Sequence, residues 1–236
     1  MRFIRKLLKI AGVLLLIVFV GFFVLYLIYN EPLPESEEGP KADVLAQKML
    51  ASINHEAFNE TRFLEWSFAG GAHHYKWDKE NGKVEVKWDY YSVNLNLNDT
   101  ASSSVVQNGK SLSAKDSRDL IHTAWDYFNN DSFWLVAPFK VFDKGTERSI
   151  VKSDDGSEDL MVTYTSGGTT PGDSYLWKLD SKGLPKSFQM WVKIIPIGGI
   201  KATWDDWEVM ENGLLLPKTH RLGPMIIDMG SLKAYN

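Results

Sequence analysis

The sequence predicts an α+β fold: one large curved antiparallel sheet with helices covering its concave face, preceded by one N-terminal transmembrane helix. Three observations predict it. A charge-free run opens the chain, a two-residue alternation of apolar and polar side chains fills most of the chain after Arg62, and two stretches of helical periodicity interrupt the pattern. Alternation with period two places every second side chain on one face of a strand, which a helix cannot do.

The opening segment "MRFIRKLLK" carries Arg2, Arg5, Lys6 and Lys9, and Ile10 to Tyr29 then contains no charge. About 20 such residues rising about 1.5 Å each span about 30 Å, the thickness of a bilayer's hydrocarbon core. A cleavable leader has a shorter apolar core, about 7 to 15 residues, followed by small residues at the cleavage site. "VLYLIYNEPLPE" offers no such site. Residues 1–30 are therefore expected to form an uncleaved anchor, with a cleaved signal peptide as the alternative. Cations before the run and "NEPLPESEEG" after it place the N-terminus in the cytoplasm and the rest outside.

Residues 31–41, "EPLPESEEGPK", hold three prolines and four glutamates and read as a short extended tether that cannot bury enough surface to order itself. The main domain, 42–236, starts with "ADVLAQKMLASINHEAFNET", where Leu45, Met49 and Ile53 recur on one helical face. Strands come next. Leu64, Trp66 and Phe68 share a face, as do Val84, Val86, Trp88 and Tyr90, and then Val93, Leu95 and Leu97. Turns are marked at "KENGK" (79–83), "DDGS" (154–157), "DSKG" (180–183) and "ENG" (211–213), where Asn, Asp or Gly accept positive φ.

The second helix is signalled by "SAKDSRDLIHTAWDYFNND", with Ser113 as N-cap, Asp116 three residues on, and Leu120, Ile121, Ala124, Trp125 and Phe128 at helical spacing. The apolar run after it, through Phe133, Trp134, Leu135, Val136, Phe139, Val141 and Phe142, is expected to be extended after Pro138. A wide sheet curls and leaves a hollow, and this run fills it either as plain core or as a lid over an apolar pocket.

The chain has 236 residues, 44% hydrophobic and 24% charged, as in ordinary globular proteins. A net charge of -4 gives no cationic field to gather nucleic acid. With no cysteine there is no disulfide, thiolate metal site, cysteine nucleophile or lipidated N-terminal cysteine.

Three stretches resemble a known superfamily: "SSSVVQNGKSL" (Ser102–Leu112), "LWKLDSKGLPKSFQMW" (Leu176–Trp191) and "ENGLLLPKTH" (Glu211–His220). With the order helix, strands, helix, strands over Ala42–Asn236, they look like the bacterial lipoprotein-localisation carriers and their outer-membrane receptor, the LolA and LolB type. The resemblance implies a half-open β-barrel with a helical lid that holds acyl chains against aromatic and aliphatic side chains. This chain departs from the pattern in keeping an anchor, in lacking the receptor's lipidated cysteine, and in lacking the carriers' Arg-Pro strand motif. It is similar to a tethered relative rather than a shuttle, placed in a bacterial inner membrane with its main domain in the periplasm.

Catalytic or metal chemistry has few candidates. His73 and His74 are adjacent on a strand and point to opposite faces, so no metal site is expected from them. Asp154–Asp155 lies in a turn, and the glycines of Gly167–Asp173 and Pro196–Lys201 lack the context of a phosphate cradle. Asp205 and Asp206 in "WDDW" leave an envelope hydrolase open, although one pair on an expected edge strand does not establish a two-carboxylate geometry. No cofactor is expected.

The remaining signal is aromatic: 9 Trp, 9 Tyr and 12 Phe. The expected hydrophobic pocket and lid comprise Trp66, Phe68, Trp88, Trp125, Phe133, Trp134, Phe139, Tyr175, Trp177 and Phe188. Burying a large side chain there is worth about 1.5 to 3 kcal/mol and each acyl methylene adds about 0.8. The expected function is non-catalytic binding of a lipid or lipidated protein. An envelope scaffold with a filled core is the alternative.

Overall fold

The computed structural model describes residues 2–153, 156–166 and 171–236. An apolar helix α1 (Arg2–Tyr29) leads to a two-residue strand β1 (Glu37–Glu38), then α2 (Pro40–Ser52) and α3 (His55–Glu60). Six strands come next: β2 (Phe63–Phe68), β3 (His73–Asp78), β4 (Lys83–Trp88), β5 (Tyr91–Asn96), β6 (Ser104–Gln107) and β7 (Lys110–Ser111). Helix α4 (Ala114–Val136) separates them from β8 (Thr146–Lys152), β9 (Glu158–Tyr164), β10 (Asp173–Leu179), β11 (Pro185–Trp191) and β12 (Ile200–Thr203). The chain closes with β13 (Asp206–Val209), β14 (Leu215–Leu222), β15 (Met225–Asp228) and β16 (Lys233–Tyr235).

The fold is α+β and its strands pair antiparallel, but they form two sheets where the sequence led us to expect one. One runs β1-β8-β9-β10-β11-β12-β14-β13, with β15 on β14; the other runs β16-β2-β3-β4-β5-β6-β7. The break has a local cause. The chain between β15 and β16 turns at Gly230, whose φ of +66° is in the left-handed region, and a Cβ there would lie 2.0 Å from Ser67 Oγ. At that corner Met229 N–H donates to Lys218 O at 2.9 Å, while Met229 O accepts from Ser67 N–H at 3.1 Å. One residue thus hydrogen-bonds to both sheets.

Helix α2 packs on β8 and β9, and α4 packs on β5 and β6 of one sheet and β14 of the other. Ser113 caps α4, its Oγ accepting from Asp116 N–H and donating to the Asp116 carboxylate. The helix runs on to Val136 where the sequence suggested an earlier stop, and a tight 3-10 turn at Ala137–Lys140 replaces the expected extended run. Pro138 fits because the first turn of a helix needs no N–H from it. Leu135, Val136 and Val141 are buried as expected, whereas Phe142 is exposed and lies under the Arg148 guanidinium at 4.3 Å. Tyr90 is also exposed, because β4 ends at Trp88 and a turn intervenes before β5.

Residues 31–41 are bound rather than free. Glu37 and Glu38 pair with Ile150 and Ser149 on the edge of β8. Glu31 O accepts from the Trp191 indole N–H at 2.8 Å, and Glu31 Oε2 from Gln189 Nε2 at 2.6 Å. Between these contacts the chain passes from β11 to β8, across β10 and β9. Val151, Met161 and Leu176, with Trp191 against them, form a small cluster apart from the main core. The segment that could not order itself is ordered by the sheet it crosses.

The marked turns fall where expected at Lys79–Lys83, Asp180–Gly183 and Glu211–Gly213, and β8 pairs with β9 across the fourth. Asp154, Asp155 and residues 167–170, where a turn pair and a glycine loop were expected, lie outside the described residues.

Candidate functional site

Alternation on the strands aims aromatic side chains inward, and α4 inserts between them. Tyr175 and Trp177 take alternate positions on β10, and Trp177 sits opposite Phe188 of β11. Phe133 meets Tyr175 at 4.6 Å between ring centroids, Trp134 stacks on Trp204 at 6.0 Å, and Trp204 lies 5.2 Å from Phe188. On the other sheet Trp66 stacks on its ladder neighbour Tyr75 at 4.6 Å, while Phe128 of α4 lies 5.3 Å from Trp77. Trp88 meets Tyr127 edge-on at 5.6 Å.

The expected pocket residues therefore divide. Phe133, Trp134, Tyr175, Trp177 and Phe188 form one contiguous group on the larger sheet, and Trp66 and Trp88 belong to a second group on the smaller one. Phe139 stands apart, stacked on Phe58 of α3 at 4.3 Å. Phe68 and Trp125 pack against the core half-buried, without a ring contact among the described residues. Helix α4 is the element common to the two main groups.

Five polar atoms in this interior are buried without a partner among the described residues: the indole nitrogens of Trp66, Trp77, Trp177 and Trp204, and Asn129 Nδ2. A buried donor left unpaired costs about 1–3 kcal/mol, and buried Trp N–H groups usually find an acceptor. The aromatic layer is thus rich in π faces and in donors lacking acceptors.

Two polar contacts pin α4. Asp131 is buried, and its Oδ2 accepts from the Tyr75 hydroxyl at 2.5 Å and lies 2.7 Å from His73 Nδ1, while Asn130 Nδ2 donates to its Oδ1 at 2.8 Å. Burial, and then the Asp131 carboxylate, push the Tyr75 phenol pKa up. His74, next to His73, is exposed, as the strand alternation requires. Farther along, fully buried His220 has Nε2 2.8 Å from Trp134 O and Nδ1 3.0 Å from Thr203 O. Both partners only accept; burial lowers the His220 pKa while the two carbonyls oppose that shift. A separate contact from β8 reaches α2 and the turn after α4: Arg148 Nε donates to Asp43 Oδ1 of α2 at 2.6 Å and its NH1 to Val141 O at 2.9 Å.

The sequence reading missed Asp131, Tyr75 and His220 as site residues. A signal was present for Asp131: with Ala124, Phe128 and Leu135 it recurs at helical spacing on the buried stripe of α4, where an acid requires a partner. "WDDW" reads differently in the fold. Trp204 and Asp206 do not share a face, because β12 ends at Thr203 and β13 begins at Asp206. Trp204 is fully buried; Asp205 and Asp206 are exposed, Asp206 on the edge strand accepting from Thr219 Oγ1 at 2.6 Å.

A hollow of about 710 Å³ opens beside α3, lined by Phe58, Thr61, Arg62, Trp77, Lys79 and Lys140, among others. Lys79 Nζ lies 3.7 Å over the Phe58 ring and donates to Phe58 O. Burial, with Lys140 adding repulsion, brings the Lys79 pKa down to about 8. Neither a family model, nor a curated protein, nor a solved structure matches this chain.

Proposed function

We propose that this chain is a membrane-anchored, extracytoplasmic protein that binds a hydrophobic ligand, the acyl chains of a lipid or of a lipidated protein, without catalysis. Helix α1 is the anchor: Lys9–Tyr29 is long and apolar enough to cross a bilayer and none of that window is buried in the protein. The two sheets, joined at Met229, act as one half-open barrel, and α4 is its plug. The observation that carries the reading is the set of four buried indole N–H groups without an acceptor among the described residues. Most buried donors in folded proteins are paired, and ester or amide carbonyls at the head of an acyl chain would pair these.

In the closed form Phe133 and Trp134 occupy the space that acyl chains would take. Ligand entry displaces α4 and exchanges ring contacts for methylene contacts at about 0.8 kcal/mol per methylene. The polar contacts on α4 at Asp131 and Trp134 O are few enough to release together.

Lipid extraction of the full-length protein purified from membranes, followed by mass spectrometry, tests the reading. Acyl-chain compounds are expected to copurify in fixed ratio, and a hydrophobic dye is expected to titrate one saturable site that those compounds displace. A second reading, an envelope scaffold with a filled core, is favoured by the ring contacts themselves, which leave the aromatic groups already packed. It predicts neither copurifying lipid nor saturable dye binding, and that outcome would replace the first.

A further inference from the structure

The larger sheet also holds the residues that emerge from α1. Asn30 continues the helical ladder, its N–H donating to Tyr26 O at 2.9 Å, and in the same residue Oδ1 accepts from Gly198 N–H at 2.8 Å. Glu31 N–H donates to Gly198 O at 3.0 Å, and its carbonyl and carboxylate accept from Trp191 and Gln189. Gly198 is required by this approach: a Cβ would lie 2.5 Å from Trp191 Cδ1 and 2.7 Å from Glu31 O. The last apolar residue, Tyr29, is thus followed immediately by a residue bonded to the loop between β11 and β12, with no slack between them.

That loop, 192–199, reads "VKIIPIGG". Its Ile194 is 72% exposed and Pro196 is exposed beside it, while Ile195 packs against the core and holds the loop in place. Exposed Lys193 and Lys201 flank the apolar tip. An isolated isoleucine on a surface needs no explanation. An isoleucine on a loop hydrogen-bonded to the end of a membrane-length helix, with Lys193 and Lys201 on either side in sequence, Tyr26 and Tyr29 in the last turn of α1 and Trp191 bonded to Glu31, matches the residue types of a bilayer interface.

Resting on the reading of α1 as an anchor, we propose that residues 192–199 form a second membrane contact: Ile194 and Pro196 enter the boundary between headgroups and acyl chains, with Lys193 and Lys201 on anionic headgroups. The clamp at Asn30, Glu31 and Gly198 sets the level of the loop. Because the anchor already holds the loop at the surface, a weak intrinsic affinity is sufficient for occupancy. The consequence is a domain with a fixed orientation to the bilayer rather than one swinging on a tether.

The absence of cysteine from the chain allows a direct test with single introduced cysteines. The full chain is reconstituted in vesicles of phosphatidylethanolamine and phosphatidylglycerol, with an environment-sensitive fluorophore at Ile194→Cys, Leu16→Cys or Val209→Cys, the last being an exposed position on β13. Lipids brominated along the acyl chain are expected to quench the probes at 194 and 16 but not at 209. Adding Gly198→Val should lower quenching at 194 severalfold and leave 16 unchanged. Quenching at 16 without quenching at 194 overturns the loop contact alone; a water-exposed probe at 16 overturns the anchor reading instead. Equal quenching at 194 and 209, or quenching at 194 that survives Gly198→Val, overturns the clamp as its cause.

Discussion

Replacing Asp131 by asparagine tests what holds the plug in place. The Tyr75 hydroxyl and His73 Nδ1 both contact one carboxylate oxygen, at 2.5 and 2.7 Å, inside the protein. Asparagine has one acceptor oxygen: placed at the Oδ2 position it turns its NH2 onto the Asn130 Nδ2 donor, and flipped it turns the NH2 toward Tyr75 and His73, so at least one hydrogen bond to a carboxylate is lost, worth about 1.5–3 kcal/mol. In a chain of this size that lowers Tm by about 3–12 °C. Tyr75→Phe removes the same contact from the other side, so the two losses should not add; the double-mutant cycle should return a coupling of about 1–2 kcal/mol. Urea unfolding of the full-length protein in detergent, followed by tryptophan fluorescence, reads these changes because Trp66 stacks on Tyr75. Dye affinity is measured on the same samples and should rise in Asp131→Asn as α4 loosens. Losses that add to within about 0.5 kcal/mol would refute the shared contact, and a stability loss without tighter dye binding would refute α4 as the plug.

Two further outcomes are expected from the same geometry. Since the folded pKa of Lys79 is about 8 and the unfolded chain binds its proton up to the ordinary lysine value, stability should increase as pH rises from about 8 toward 10.5. Lys79→Met should flatten that part of the profile in urea titrations, and an unchanged slope would reject the assignment. Gly230→Ala places a Cβ 2.0 Å from Ser67 Oγ at positive φ and should cost more than about 1 kcal/mol, with Ser67→Gly restoring part of the loss, as read by thermal unfolding.

Much of this fold was legible because its local signals agree. Val84, Val86 and Trp88 alternate inward as strand residues must, Gly82, Gly183 and Gly213 take the positive φ their turns need, and Ser113 caps α4. The features that escaped the sequence depend on contacts between distant segments. Nothing local in "EPLPESEEG" says that Glu37 pairs with Ile150, because a short acidic run gains order only from the sheet edge it meets. The strand-to-strand crossing between the two sheets turns at Gly230, and a single glycine in a strand pattern is compatible with a bulge, a bend or a turn. For the site, an inward aromatic layer could be read from alternation, yet its partition by α4 could not, because the helical signal in the sequence stops near Asp131 while the helix carries Phe133 and Trp134 on to Val136. Asp131 stood among apolar residues, and its partners Tyr75 and His73 lie more than fifty positions earlier.

The pairing of β16 with β2 also bears on how the molecule is made. Lys233, Ala234 and Tyr235 bind the edge strand formed by Phe63–Phe68, and Asn236 Oδ1 accepts from Arg62 N–H at 2.8 Å. Synthesis runs from the N-terminal side, so β2 waits with one edge unsatisfied until residues 233–235 appear. Closure then spans about 170 positions of sequence, a contact of the slow-forming, non-local kind. Loss of residues 233–236 would leave that edge open to β-strands from other chains, making β16 the seam on which resistance to aggregation depends.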